Sequence, residues 1–548
     1  MTSSGERVRD RIERMALERF GYERLRPVQL AAIEALLSGR DVLAVLPTGS
    51  GKSAIYQIAA ALLDGVTVVI SPLIALQRDQ LEGLADAPDA PTAVAVNSSQ
   101  TDTENEAAWQ ALEGGEATYV LLAPEQLGKE DVVGRLRRVS VALVAVDEAH
   151  CVSAWGHDFR PDYLQIGAAI TRLGEPTTVA LTATGSPPVR EEITERLRMS
   201  DPYLASGGFD RPNIALAVTR HTEEHAKRQA VVDEVAGLPR PGLVYTATRA
   251  GTERYAEALA ELGMRAAAYH AGMRNGDREL VHDRFRDDEL DVVVATTAFG
   301  MGIDKPNVRF VVHADIPDSV DSYSQEIGRA GRDGAAAQAV LHYREQDLGL
   351  RRFFAARRPD SAALERVFGA LLDADGALPV SRLAERLDTT ARRLGGLLNA
   401  LEAAGALTRK AGKIRADRKL DPREAAARAV EHAEDRERID ESRIAMMRAY
   451  AEADTCRRQV LLAYFGEEYE GRCENCDWCA DHPGEAAEPS VADADAPFPP
   501  ASSVTHAEWG AGTVMSAEDD RITVFFEEQG YKVLSLAAIE EHDLLSRA

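Results

Sequence analysis

Residues 146–163 read Val-Asp-Glu-Ala-His-Cys-Val-Ser-Ala-Trp-Gly-His-Asp-Phe-Arg-Pro-Asp-Tyr. The acidic pair Asp147-Glu148 follows the apolar run 141–146, as expected at the C-terminal end of a buried parallel strand. Carboxylates placed there hold Mg²⁺ and polarise a water at a nucleotide γ-phosphate. Shortly after come Trp155, His157, Phe159, Arg160 and Tyr163. Such a loop of rings and charge suits stacking on unpaired bases. Chemistry and nucleic-acid sensing are therefore expected on one short segment.

Upstream, residues 41–46 form an apolar strand, followed by Pro47-Thr48-Gly49-Ser50-Gly51-Lys52-Ser53 and a helical 54–57. Glycines let backbone N–H groups close on phosphate oxygens, and the helix start adds a favourable dipole. Thr48, Gly49, Ser50 and Gly51 would cradle the phosphates and Lys52 neutralise them, while Ser53 and Asp147 would ligate Mg²⁺. Leu46 stands where the loop pattern calls for its first glycine. A chance Gly-Lys-Ser turn is the plain alternative. The strand before it, and Asp-Glu after a later strand, argue against that. Arg26-Pro27-Val28-Gln29 precede the loop by about twenty residues. A Gln pairs with both N6 and N7 of adenine, so Gln29, with Arg26 beside it, is expected to select ATP.

Strand-like and helical stretches alternate through residues 1–208, with candidate strands at 42–46, 66–71, 92–96, 118–122, 141–146 and 177–182. A second alternating run covers 209–356, with strands at 242–246, 265–269, 292–296, 310–314 and 337–342. Two tandem α/β lobes follow from this pattern, with a nucleotide between them. Loops after parallel strands are where such folds bind ligands. They include Ser71-Pro72-Leu73, Ala123-Pro124-Glu125 and Leu181-Thr182-Ala183-Thr184. Thr182 and Thr184 are expected to couple the ATP and nucleic-acid sites.

In the second run, residues 296–304 offer glycines and hydroxyls, Thr297 among them, to a nucleic-acid backbone. Gln325-Glu326-Ile327-Gly328-Arg329-Ala330-Gly331-Arg332-Asp333-Gly334 carries two arginines at helical i,i+3 spacing. Charge on γ-phosphoryl oxygens in the transition state calls for an arginine finger. Arg332 is expected to be that finger and Arg329 its neighbour.

Residues 357–416 change character: three helical segments and a hairpin over 406–415 suggest a winged helix. Lys410, Lys413 and Arg415 on the wing are candidates for strand separation or phosphate contact; a solvated charged hairpin is the alternative. Residues 417–480 form a charged helical region ending in a cysteine cluster, and 481–503 an acidic Ala/Pro linker expected to be disordered. Residues 504–548 alternate as short strands.

The 548 residues exceed one core and suggest roughly three or four domains. No stretch approaches the roughly 18–20 apolar residues of a membrane helix, and the N-terminus lacks a signal-like apolar run. A cytoplasmic, nucleoid-associated protein without a membrane partner is expected. Net charge is −26. Residues 480–548 hold 14 Asp/Glu against 3 Lys/Arg, so −11 of it sits in that tail. Phosphate binding requires only a local basic groove, so the acidity argues against indiscriminate nucleic-acid binding and not against a specific site. Of five cysteines, Cys456, Cys473, Cys476 and Cys479 match a tetrahedral metal set. In an intracellular chain that favours Zn²⁺ over disulfides. Cys151, beside His150, reads as a packed thiol.

Over roughly residues 10–350 the chain resembles the RecQ family of superfamily 2 DNA helicases. The run Asp147-Glu-Ala-His-Cys-x-Ser-x-Trp-Gly-His-Asp-Phe-Arg-Pro-x-Tyr163 and the string 325–334 carry the likeness. The resemblance implies that the two α/β lobes are RecA-like, so the expected order is two RecA-like lobes, the winged-helix-like domain, the helical zinc-binding region and a small C-terminal β-barrel. It implies ATP-dependent, 3′ to 5′ unwinding of duplex DNA in repair or recombination, with structural zinc. RecQ proteins usually place the winged helix after the zinc region; here it is expected before it, and no counterpart of the small HRDC domain of many members is expected. Residues 504–548 resemble the Tudor-like barrel of UvrD/PcrA-type helicases through His506, Trp509-Gly510, Gly512–Val514, 522–526 and 532–534. That implies a protein partner. The competing readings are an RNA helicase, a translocase that does not separate strands, and a DNA-binding scaffold with a degenerate ATPase. Intact Lys52, Asp147, Glu148 and Arg332 oppose the last.

Overall fold

A computed structural model of the chain describes all residues except 1, 48, 73–76, 78–79, 82–83, 85–91, 98, 154–159, 301–304, 356–357, 375, 411–412, 468, 485–496, 499–501, 518–520, 527–528 and 548. Most of the expected acidic linker thus lies outside the described residues. The chain divides into two compact units, residues 1–345 with 447–492 and residues 346–446 with 493–548.

In the first unit, β1 (Val42–Val45), β2 (Val66–Ile70), β3 (Ala93–Val96), β4 (Tyr119–Leu122), β5 (Val141–Val146), β6 (Thr177–Thr182) and β7 (Tyr203–Ser206) build one sheet. The order is β3-β4-β2-β5-β6-β1-β7, all parallel. β1, β2 and β4 are buried at every position, which is why their sequences run continuously apolar instead of alternating. The helices Pro27–Leu37 and Lys52–Leu62 supply Leu30, Ile33, Leu36, Ile55 and Ile58 to the core. The order sets β5, β6 and β1 side by side. It therefore gathers the loops after them, which carry Asp147, Thr182 and the glycine-rich turn.

A second parallel sheet holds β8 (Ile214–Arg220), β9 (Gly242–Tyr245), β10 (Ala266–Tyr269), β11 (Val292–Ala295), β12 (Phe310–His313) and β13 (Ala337–Tyr343). Its order is β10-β11-β9-β12-β13-β8. Two strands were not expected from the sequence. β7 and β8 are edge strands with only partial burial, so their patterns lack the apolar run of their neighbours.

Residues 475–477 cover the open edge of β8. Leu216 N–H donates to Asn475 O at 3.1 Å, and Leu216 pairs with Cys476 in a parallel bridge. Val218 N–H donates to the Asp477 carboxylate at 3.0 Å, which also receives Arg457 Nε at 3.0 Å. The Phe465 ring stacks on Phe209, centroids 4.2 Å apart.

The second unit contains helices Leu348–Ala355, Ser361–Leu372, Val380–Arg386 and Ala391–Ala403. With them goes a three-stranded sheet of β14 (Leu378–Pro379), β16 (Lys413–Ala416) and β15 (Leu407–Lys410), in that order. Leu364, Phe368, Leu383, Leu394, Leu398 and Ile414 make its core. This is the expected winged helix, with β14 and the first helix additional to the sequence reading. β17 (Ser503–His506), β18 (Gly510–Ala517), β19 (Arg521–Phe526), β20 (Gly530–Ser535) and β21 (Leu545–Arg547) form an antiparallel sheet, ordered β20-β19-β18-β17-β21. Val504, Val514, Val524 and Phe526 fill its inner face. Among the described residues no helix is long and apolar enough to cross a membrane.

Candidate nucleotide and nucleic-acid site

The turn after β1 is shaped by Gly49 (φ 77°) and Gly51 (φ 74°), both left-handed. A side-chain-bearing residue there costs roughly 1–2 kcal/mol. Ser50 is buried and its Oγ has no hydrogen-bond partner among the described residues. A buried polar atom left unpaired is a place where a ligand is wanted. Lys52, the first residue of its helix, donates Nζ to Leu46 O at 3.1 Å. Burial pulls its pKa down, against the raising charges of Glu148 and Asp147. Thr48 lies outside the described residues.

Gln29 is buried behind this turn. Its Nε2 donates to Ser50 O at 3.0 Å and Gly51 O at 2.9 Å, and its Oε1 accepts from Arg26 N–H at 2.8 Å. The amide expected to face adenine is engaged on the loop backbone here, and Arg26 takes part through its main chain.

At the end of β5, Asp147 is buried. Desolvation first, and then the neighbouring Glu148 charge, push its carboxyl up to about 7. Glu148 adopts φ 47°, a left-handed conformation rare outside glycine. Its Oε2 is buried and accepts no hydrogen bond among the described residues; the His150 ring lies 3.4 Å away. His150 Nδ1 also meets Thr182 Oγ1 at 3.1 Å, and Thr182 Oγ1 donates to Thr184 O at 2.6 Å. Thr182 and Thr184 thus join the acidic pair through His150, and both are buried. Ser53 sits half-buried in the first turn of its helix.

The aromatic loop is only partly described, since Trp155, His157 and Phe159 lie outside the described residues. Its flanks are tied down. Ser153 Oγ donates to Glu192 at 2.8 Å, and Arg160 donates its N–H to Cys151 O at 2.9 Å and Nη1 to Pro72 O at 3.1 Å. One expectation is corrected. Tyr163 is fully buried and its hydroxyl donates to Asp147 O at 3.0 Å, so it is not a stacking platform but a brace for the acidic pair.

From the second sheet, Arg332 reaches the glycine-rich turn. A Cβ on Gly49 would stand 3.1 Å from Arg332 Cδ and 3.3 Å from its Nε. Arg329 behaves differently: it is buried and Nη1 donates to Gly300 O. Thr297 is exposed in the same loop. Three supports here were not anticipated from the sequence. Arg211 donates to the carbonyls of Gly328 at 3.2 Å, Ala330 at 2.8 Å and Gly331 at 2.9 Å. Tyr245 donates its hydroxyl to Phe299 O at 2.8 Å. His313 meets Glu326 at 2.7 Å, both buried. An arginine or tyrosine far from any motif gives no sequence signal; only the fold brings it there.

The sulfurs of Cys456, Cys473, Cys476 and Cys479 lie within 4.8 Å of one another, with Cys473 and Cys479 3.9 Å apart. Tetrahedral Zn–S bonds of about 2.3 Å separate sulfurs by about 3.8 Å, so the set fits one zinc ion. All four positions are protein thiols, the closed arrangement of a structural site.

Comparison with known proteins agrees with this geometry. Residues 26–193 match the DEAD/DEAH box helicase family, 226–334 the helicase conserved C-terminal domain and 415–480 RecQ zinc-binding. Residues 502–541 match a protein of unknown function (DUF3553). The chain is 36% identical over 466 residues to the ATP-dependent DNA helicase RecQ of Pasteurella multocida, covering 85% of this chain and 61% of that one. It is 33% identical over 470 residues to the probable ATP-dependent DNA helicase RecS of Bacillus subtilis, covering 84% and 90%. The chain thus spans about three fifths of the RecQ relative and most of the RecS relative. Among solved structures, the helicase MrfA bound to DNA is similar in fold, with TM-score 0.52, 17% identity and 76% of this chain covered against 60% of that one.

Proposed function

The chain belongs to the RecQ family of superfamily 2 helicases, and on that premise we propose that it hydrolyses ATP to move 3′ to 5′ along single-stranded DNA and unwind duplex DNA, in repair or recombination. Convergence carries this reading: Arg332, from the second sheet, lies against the turn that also presents Lys52, next to Asp147 and Glu148.

In this reading Lys52 and the backbone of 48–51 hold the phosphates, Ser53 and Asp147 hold Mg²⁺, and Glu148 orients the attacking water. Arg332 meets the charge that develops on the γ-phosphoryl group. Arg329 acts beside it by fixing the loop at Gly300. Gln29 senses the nucleotide through the loop carbonyls it holds, and turns to adenine only by releasing them. Thr297 and Arg160 contact the DNA backbone, with Trp155, His157 and Phe159 stacking on bases. His150, Thr182 and Thr184 report that contact to Glu148.

The domain limits we assign are 1–208, 209–356, 357–416, 417–480, 481–503 and 504–548. Residues 504–548 take a protein partner, and the enzyme works in the cytoplasm on the nucleoid. The test is strand displacement on duplexes carrying a 3′ or a 5′ single-stranded tail, with Lys52→Ala as control. Unwinding of the 3′-tailed duplex alone, lost in the variant, is the expected result. DNA-stimulated hydrolysis without displacement would replace it with a translocase.

A further inference from the structure

The helix Leu348–Ala355 opens the second unit, and none of the assignments above uses it. Phe353 on this helix is 72% exposed, the most exposed large apolar side chain among the described residues. Phe354 beside it is 41% exposed, the two rings 5.9 Å apart. Burying one such ring is worth roughly 1.5–3 kcal/mol, and the folded chain leaves that unrealised here. Arg352 is also exposed and Gly349 lies on the same helix face, three residues before Arg352 and four before Phe353. A Cβ at Gly349 would meet nothing within 4 Å, so the face is open beside the ring.

Between Asp347 and Asp360 the sequence itself carries only positive charge. Residues 348–359 contain Arg351, Arg352, Arg357 and Arg358 and no Asp or Glu, in a chain whose net charge is −26. Arg358 is spent on Glu437 at 2.6 Å. Arg352 has no ion pair among the described residues. An exposed aromatic ring beside an available guanidinium matches one partner chemistry: bases offer π faces, and phosphates offer charge. Bases inside a duplex are stacked on each other and cannot take the ring.

We infer that this helix face is a contact for single-stranded DNA, with Phe353 stacking on a base and Arg352 on an adjacent phosphate. The inference rests on the helicase reading above and adds to it a site outside the two parallel sheets. Single-strand affinity then depends on a surface that precedes the winged helix, and not only on the loops of the sheets.

The test uses the full-length protein, with fluorescence anisotropy of a labelled oligothymidylate and of a blunt duplex. Phe353→Ala should weaken oligothymidylate binding by about 5- to 150-fold, the range one base–ring stack supplies, and leave the blunt duplex unaffected. Phe353→Tyr should keep wild-type affinity, and Arg352→Ala should flatten the salt dependence. Phe353→Trp adds a direct readout: its fluorescence should be quenched by oligothymidylate beyond any change in the wild type. Wild-type affinity in Phe353→Ala, or no added quenching in Phe353→Trp, overturns the inference. So does wild-type self-association that Phe353→Ala abolishes while DNA binding stays intact, since the face would then belong to a protein contact. A wild-type protein that fails to bind oligothymidylate at all would instead sink the helicase reading itself.

Discussion

Arg211 stands outside the nucleotide loops, yet its removal should slow hydrolysis. Its guanidinium holds three carbonyls of the turn that carries Arg329 and Arg332, two of them at 2.8 and 2.9 Å. Bonds from a charged donor contribute about 1.5–3 kcal/mol each. Arg211 is only partly buried, so the low end for the two short ones gives about 3 kcal/mol of bracing. Asn213 keeps one hold on Gly331 O, at 2.9 Å, so the turn loosens without collapsing. If about half of that bracing acts in the transition state, Arg211→Ala lowers kcat roughly tenfold; if all of it acts, roughly a hundredfold. The KM for ATP should stay near wild type, because Lys52 and Gln29 are untouched. Arg211→Lys, reaching one carbonyl, should fall between. The assay is steady-state ATP hydrolysis at saturating single-stranded DNA, with Arg332→Ala as the limit. A full kcat in Arg211→Ala, with Arg332→Ala inactive, would show that the turn holds its own shape and refute the reasoning.

Four further outcomes are expected. Asp147, held near 7 in the folded chain against 3.8 as a free side chain, keeps a proton that the unfolded chain releases. Metal-free protein should therefore lose stability as pH rises from about 4 to about 7, by about 4 kcal/mol at most; Asp147→Asn should flatten that slope in urea titrations with chelator present. Stripping zinc, or Cys479→Ser, should lower the thermal midpoint and expose β8 to hydrogen exchange; unchanged exchange at Leu216 and Val218 would contradict the docking described. Tyr245→Phe leaves Phe299 O without its partner at a cost of about 1–3 kcal/mol, and should raise the DNA concentration that half-maximally stimulates hydrolysis. Trp155→Ala and Phe159→Ala should retain DNA-free hydrolysis and lose its stimulation, and intact stimulation would remove the loop from the coupling route.

How much of this was legible beforehand depended on whether chemistry sat in one stretch of chain. Pro47–Ser53 and Asp147-Glu148 are contiguous, and Cys473, Cys476 and Cys479 recur at every third position, so residue type and spacing pointed to them. Tyr163 shows the limit, because a ring reads the same in sequence whether it stacks on a base or braces Asp147 from inside. Tyr245 and His313 lie on β9 and β12, far apart in the chain, and the sheet order makes them neighbours. No periodicity announces that. β7 and β8 escaped for a related reason: an edge strand covered on one side has no continuous apolar run, and the cover on β8 comes from residues more than two hundred positions later.

The hydrogen bonds around His150 bear on how the two sites communicate. Thr182 Oγ1 has one proton, which it gives to Thr184 O at 2.6 Å. It can then only accept from His150, so this network assigns the imidazole proton to Nδ1. That same Nδ1–H lies 3.4 Å from Glu148 Oε2. The proton thus serves the hydroxyl after β6, and the carboxylate after β5 is a neighbouring oxygen that does not yet accept it. A shift of the Thr182 loop by a few tenths of an ångström changes which acceptor holds it, because a hydrogen bond weakens steeply with length and angle. In the mechanism proposed above, DNA pulling on that loop frees or loads the carboxylate that orients water. Coupling of DNA occupancy to hydrolysis then needs no large rearrangement inside the first sheet, only a change in which oxygen the imidazole proton serves.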